Sequence, residues 1–180
     1  MIWFISDLHF YHGNVIKYNN RPFANVEEMN KTLIENWNAK VAEEDSVYHL
    51  GDFSFGNITN TIEIMNTLKG NIFFIQGNHD QTLMDIFFKH KIDNPRFKFL
   101  GNYYKLKTGD ERIILCHYPI ENWDGKYRDW IHLHGHNHFD FGNTLANRFD
   151  MSVDGINFQP ISLIRILEQR TENAYKRIRK

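Results

Sequence analysis

A chain of 180 residues suffices for one domain with its own core, burying roughly 70% of the unfolded chain's surface without disulfide staples. Hydrophobic residues at 42% and charged residues at 24% give the balance of a globular protein and exclude disordered or collagen-like chains. Twenty-one basic against 22 acidic side chains leave a net charge of −1, which advertises neither nucleic acid nor an anionic membrane, and one cysteine excludes a disulfide framework or a Cys-rich zinc module.

Ile2 to Ser6 reads as a short buried strand that runs into a polar loop from Asp7 to Asn14. The opening MIWFISDLHF has no basic stretch, and Asp7 interrupts its apolar run, so it is read as a strand instead of a signal peptide or a membrane span. The expected compartment is the cytoplasm. Val26, Met29, Leu33, Trp37 and Val41 recur with the spacing of one helix face, behind Asn25 as N-cap and Glu28 as its reaching carboxylate. Ser46 to Leu50 is a second buried strand closed by Gly51-Asp52. A short helix follows from Thr61 to Leu68, and Asn71 to Gln76 is a third strand closed by Gly77-Asn78. Asp80 to Phe88 is helical again.

Beyond Pro95 the texture changes. Phe97 to Leu100, Tyr103 to Lys107 and Arg112 to Cys116 read as strands, with Thr108-Gly109-Asp110-Glu111 as a hairpin turn. Trp130 to His134 and Phe149 to Val153 are two further strand candidates. From Ser162 a terminal helix is expected, with Ile164, Leu167, Ala174 and Ile178 on one face. Its residues 165–180 carry six basic and two acidic side chains, read as a solvated face. Alternating strands and helices in the first half predict a parallel sheet, and the hairpin pattern predicts an antiparallel or mixed second one. The expected fold class is α/β, two sheets packed face to face with helices outside, in a single domain over 1–180.

In open α/β sheets, function gathers just past the carboxyl ends of the strands. Each strand named here ends in potential metal ligands. They are Asp7-Leu8-His9, Gly51-Asp52, Gly77-Asn78-His79-Asp80, His117, and Gly135-His136-Asn137-His138. One His or Asp at a strand end is ordinarily a capping or surface residue; five such clusters in one chain form a pattern. Carboxylate and amide oxygens mixed with imidazoles suit Mn²⁺, Fe, Zn²⁺ or Co²⁺. Two cations about 3.5–4 Å apart need a bridging ligand, which a carboxylate such as Asp52 can be, and together they clamp a phosphoryl group and acidify a water. A leaving alkoxide then requires a proton from an imidazole beside the metals.

The blocks Asp-x-His, Gly-Asp, Gly-Asn-His-Asp, His and Gly-His-x-His, in that order from Asp7 to His138, resemble the calcineurin-like metallophosphoesterase superfamily. DLHFYHGNVI, NRPF, VYHLGDFSF, CHYP and VDGINFQPISL look like a small bacterial and phage-type subfamily, which extends the resemblance over nearly the whole chain. The resemblance implies a four-layer αββα sandwich of two mixed sheets with a dinuclear site at its edge. It makes Asp7, His9 and His138 ligands of one ion, Asn78, His117 and His136 ligands of the other, and Asp52 the bridge. His79 matches the family's general acid, and Asp80 is either an orienting carboxylate or a helix N-cap. The implied cofactors are two divalent ions, Mn²⁺ first, with Fe, Zn²⁺, Co²⁺, Ni²⁺ or Mg²⁺ as alternatives. The implied substrate is a small-molecule phosphomonoester or phosphodiester, a nucleotide among the options, with no membrane or nucleic-acid partner; the oligomeric state stays open, a homodimer included.

One departure narrows the substrate. The protein phosphatases of the superfamily extend the second block to Gly-Asp-x-x-Asp-Arg-Gly, whereas Gly51-Asp52-Phe53-Ser54-Phe55-Gly56-Asn57 lacks both the second Asp and the Arg. His12 and Asn14 either hydrogen-bond substrate oxygens or support His9 or Asp52 from behind. Arg21 is a candidate for the missing phosphate-gripping Arg, with a loop-to-helix salt bridge as the alternative. Phe10, Tyr11, Phe53, Phe55 and Tyr118 flank the site and could stack on a base. His49 and His134 read as core or supporting residues, and Cys116 as inert. A non-catalytic scaffold on the same fold, like a retromer subunit, is the competing function; the complete ligand set and His79 argue against it.

Overall fold

The computed structural model describes residues 1–138, 141 and 147–178, with side chains through residue 174. Nine strands and five helices run in the order β1 (Ile2–Ile5), α1 (Gly13–Tyr18), α2 (Val26–Lys40), β2 (Ser46–His49), α3 (Ile58–Thr67), β3 (Asn71–Ile75), α4 (Gln81–Phe88), β4 (Phe97–Gly101), β5 (Tyr103–Thr108), β6 (Glu111–Cys116), β7 (Ile131–His134), β8 (Arg148–Asp150), β9 (Ile161–Ser162) and α5 (Leu163–Ile178) among the described residues. They form two mixed sheets with flanking helices. The first has the strand order β4-β3-β2-β1-β9 and the second β5-β6-β7-β8. The α/β fold class expected from the sequence is the one observed.

In the first sheet β1 to β4 are mutually parallel and β9 closes the edge antiparallel to β1. Each parallel neighbour is reached through a helix, as a parallel connection requires. That is why β1 and β2 read as nearly unbroken apolar runs: both faces are covered. α2 buries Met29, Leu33 and Trp37 on the predicted face. Its start is fixed by Asn25, whose side chain accepts from the Glu28 N–H, while the Glu28 carboxylate accepts from the Ala24 N–H. Trp37 is fully buried and donates its indole N–H to the Lys69 carbonyl, which ties α2 to the turn before β3. In the second sheet β5 and β6 form the expected hairpin across Gly109-Asp110, and β6, β7 and β8 run parallel.

The structure corrects several boundaries. β4 pairs parallel with β3 and so belongs to the first sheet, although its text resembles the hairpin strands that follow. α3 begins at Ile58, capped by the Asn57 side chain. α1 and β9 were not foreseen, and the last predicted strand shrinks to Arg148–Asp150. The face of α5 is phased differently from the expectation: Ile166 is fully buried, whereas Ile164 is 62% exposed and Ala174 is also exposed. The side chain of Ile178 lies outside the described residues.

The carboxyl ends of β1, β2, β3, β6 and β7 converge because hydrogen bonding continues past them. Asp7 N–H donates to the Gly51 carbonyl and His9 N–H to the Asp52 carbonyl. Gly135 N–H donates to the His117 carbonyl, and Ser6 bridges to Ser152, which stitches the two sheets together at that end.

Candidate metal centre

Seven side chains from those strand ends meet at this junction. Asp7 with His9 and His138, and Asp7 with Asp52 and His117, form two groups whose donor atoms lie within 4.8 Å of one another. Asp7 Oδ1 is 3.8 Å from His9 Nε2 and 3.5 Å from His138 Nε2. Asp52 Oδ2 is 3.7 Å from His9 Nε2 and 3.6 Å from His117 Nε2, so one oxygen faces both groups. Asn78 Oδ1 lies 2.9 Å from His117 Nε2 and 3.0 Å from His136 Nδ1.

This donor set fits divalent cations. Bonds of about 2.0–2.2 Å place neighbouring donor atoms roughly 3–4 Å apart, the spacing seen here. His9 Nε2 is buried without a hydrogen-bond partner, directly between two carboxylates. An orphaned lone pair in that position is costly unless something electrophilic completes it. The His117 tautomer agrees: its Nδ1–H donates to the Leu50 carbonyl at 2.8 Å, which leaves Nε2 as an acceptor aimed into the cluster. His138 Nδ1 lies 2.6 Å from both Asp154 Oδ2 and the Asn19 amide nitrogen, which fix its ring in place, and His9 Nδ1 lies 3.3 Å from His12 Nδ1. Burial pushes the pKa of His9 down, helped by Arg21 and the imidazoles around it, and burial together with His117 pushes that of His136 down against the pull of Asp7 and Asp52. Burial pushes the Asp52 carboxyl up, against the pull of His117.

The backbone is shaped for this convergence. Asp7, His9, Asp52, His136 and His138 all hold left-handed φ values between 51° and 72°, an unfavourable region that concentrates at functional sites. A Cβ on Gly77 would sit 2.2 Å from Asp52 Oδ1, and one on Gly135 would sit 2.2 Å from Asp7 Oδ2. Glycine at these two positions is therefore what lets the turns approach the carboxylates.

His79 lies outside both ligand groups. It is exposed, its N–H donates to Asp52 Oδ1, and its ring centre is 6.0 Å from that of His9. Asp80 occupies the N-cap position of α4 without making a side-chain cap bond. Its carboxylate accepts instead from the N–H groups of Asp52, Phe53 and Gly77, bracing two ligand turns against each other. Burial raises its pKa to about 6 despite these three bonds.

The expectation that Arg21 grips substrate gives way to its ion-pair alternative. All five N–H donors are engaged, on the carbonyls of Asp7 and Leu8, the Met29 sulfur and both Asp154 oxygens, and none of its side chain is exposed. Asn14 is exposed on the first turn of α1, and among the described residues no hydrogen bond ties it to the ligands. His12 is half-buried and touches His9 through its Nδ1. His49 accepts from the Gly51 N–H between Phe53 and Phe74, and His134 is bonded through Nδ1 to the Gly135 carbonyl, both as supports.

Two functional neighbours escaped the sequence reading. Ser152 donates its hydroxyl to Asp7 Oδ2 at 2.9 Å. Asp154 holds His138 on one side and Arg21 on the other, and Arg21 returns to the Asp7 backbone. One buried ion pair thus links the loop after β1 to the loop after β7. Burial disfavours the ionised form of Asp154, but the bonds from His138 and Arg21 outweigh it and lower the pKa.

The sequence profile of the calcineurin-like phosphoesterases matches residues 1–161. An uncharacterized protein of Methanocaldococcus jannaschii is 39% identical over 170 residues, covering 90% of this chain and 86% of its own length. The Gene 66 protein of Mycobacterium phage L5 is 26% identical over 166 residues, covering 76% of each chain. A crystal structure of a protein of unknown function from Aquifex aeolicus superposes with a TM-score of 0.71 at 26% identity, over 93% of this chain and 98% of its own. With the ordered ligand blocks, the two-sheet fold and this match in hand, the chain belongs to the calcineurin-like phosphoesterase family of metal-dependent phosphoric ester hydrolases.

Proposed function

We propose that the protein is a dinuclear phosphoesterase acting on a small-molecule phosphomonoester or phosphodiester in the cytoplasm. Asp7, His9 and His138 hold one ion, Asn78, His117 and His136 the other, and Asp52 is shared. The observation that carries this reading is the Asp52 oxygen facing His9 and His117 at nearly equal distances. Mn²⁺ suits the mixed oxygen and imidazole donors best, with Fe, Zn²⁺, Co²⁺, Ni²⁺ or Mg²⁺ as alternatives. When bound, the ions supply Lewis acidity toward the phosphoryl oxygens and acidify a water.

The protein's own residues do the rest. Asp7 and Asp52 concentrate negative charge in a buried pocket that binds cations and orients them. His79, fixed through its backbone to Asp52 and with its ring in no hydrogen bond among the described residues, holds a proton on an imidazole nitrogen for the departing alkoxide. His12, whose Nδ1 faces His9, can hydrogen-bond a substrate oxygen through its Nε2. The near-neutral net charge argues for a small substrate over a nucleic acid. No described helix is long and apolar enough to cross a membrane.

The test is metal content together with hydrolysis. The purified protein should carry or take up two Mn²⁺ per chain and hydrolyse bis-p-nitrophenyl phosphate in a chelator-sensitive manner. A folded protein that binds fewer than two ions, or binds two and hydrolyses no ester, would return the chain to the scaffold alternative.

Asp154→Asn supplies a second check. The change leaves the buried Arg21 cation without its counter-charge and leaves one acceptor oxygen where two served Arg21 and His138. Metal titration should then show one of the two ions weakened about 10–100-fold while the other is retained, alongside a lowered Tm. Equal weakening of both ions would show that the ion pair supports the whole junction instead of His138.

A further inference from the structure

A row of aromatic and imidazole rings leads away from the candidate metal centre. The Phe55 ring lies 5.0 Å from His79 and 5.4 Å from His9, and stacks on His12 at 3.9 Å with the planes only 19° apart. Tyr18 meets His12 edge-on at 6.3 Å. Phe55 is 40% exposed and Tyr18 is 72% exposed, whereas Phe53, two residues earlier in the same turn, is fully buried in the core. On the other ligand group Tyr118, 46% exposed, stands edge-on to His136 and His117.

An exposed phenylalanine on the rim of a charged pocket gains little from folding, because much of its apolar surface stays in water. What it offers is a flat face beside the place where a leaving group departs. The oxygen that accepts a proton from His79 must come within hydrogen-bond reach of that ring, which brings the carbon group behind it into the neighbourhood of Phe55, whose ring centre is 5.0 Å from that of His79. A puckered aliphatic ring has no π face with which to pair there; a planar ring does.

We infer that the leaving alcohol of the substrate carries a planar aromatic group, an aryl ring or a nucleobase, which lies against Phe55 on the His12 platform. This rests on the proposed phosphoesterase reading with His79 as the acid. It makes Phe55 a specificity residue with no part in holding metal, and it accounts for an exposed ring that the core does not use.

The experiment compares methyl 2-phenylethyl phosphate with methyl 2-cyclohexylethyl phosphate on the Mn²⁺-loaded protein. The two leaving alcohols are closely matched in acidity and carbon number and differ in planarity. Stacking of one ring should favour the phenyl ester in kcat/KM by about tenfold. Phe55→Leu, with its two ions confirmed, should bring the ratio close to one, and Phe55→Tyr should restore it. Equal kcat/KM for both esters in the wild type overturns the inference without recourse to any variant. So does a ratio that survives Phe55→Leu, or one that collapses in Tyr118→Leu instead. Failure to hydrolyse either ester or bis-p-nitrophenyl phosphate, with two ions bound, overturns the phosphoesterase reading itself and is thereby distinguishable from loss of the substrate assignment alone.

Discussion

Asp52→Asn is expected to lose both ions together and to lower Mn²⁺-dependent hydrolysis by about 10³-fold or more. The carboxylate uses its two oxygens differently. Oδ1 accepts the His79 N–H, and Oδ2 faces His9 and His117. An asparagine that keeps the first bond must turn its Nδ2 donors toward the second position. Two N–H groups would then point at the shared site where an anion belongs, and one unit of negative charge is gone from a buried pocket. Lewis acidity and water activation are worth several kcal/mol of barrier, which corresponds to roughly 10³ in rate. His138→Ala, by contrast, should weaken chiefly one ion, because His138 belongs to one of the two ligand groups. Calorimetric titration of both variants with Mn²⁺ separates the cases. Two tightly bound ions in Asp52→Asn would remove the shared-ligand assignment.

The parts of this site that were legible in sequence are those set by the strand ends. Asp7, Asp52, Asn78, His117 and His136 each follow a short apolar run closely, and a polar cluster at such a place is visible without any knowledge of pairing. The support beneath them was not legible. Arg21 and Asp154 are 133 residues apart, and neither sits in a local pattern that predicts the other. Asp154 reads as an ordinary acid beside a glycine until the two sheets bring it against His138. Asp80 reads equally as an orienting carboxylate or a helix cap; the packing of two turns, with its carboxylate spent on their N–H groups, decides for the first.

The fold divides in the same way. α2 was legible because fifteen residues repeat one apolar face behind a capping pair. α1 and β9, at six and two residues, are too short for any period to register. The misplacement of β4 and the phase error in α5 share one cause. Which sheet a strand joins and which side a helix buries are decided by partners distant in sequence, as when Ile164 turns outward while Ile166 fills the core.

His79→Asn should keep two ions and lose activity by a factor that depends on the leaving group. Its side chain contributes no atom to either ligand group, and its backbone bond to Asp52 survives the substitution. A general acid is worth roughly 10²–10⁴-fold, and only where the departing oxygen needs a proton. The full loss is therefore expected for alkyl esters such as methyl 2-phenylethyl phosphate. For bis-p-nitrophenyl phosphate, whose phenolate leaves as a stable anion, the loss should be much smaller. Some loss is expected even there, since an imidazole this close to the centre can also hydrogen-bond a nonbridging phosphoryl oxygen. The ratio of the two losses, measured on protein with confirmed metal content, is the quantity that decides. Equal losses on both esters would leave His79 an electrostatic role and no proton to give. Loss of an ion would place its ring among the ligands, although its side chain belongs to neither ligand group.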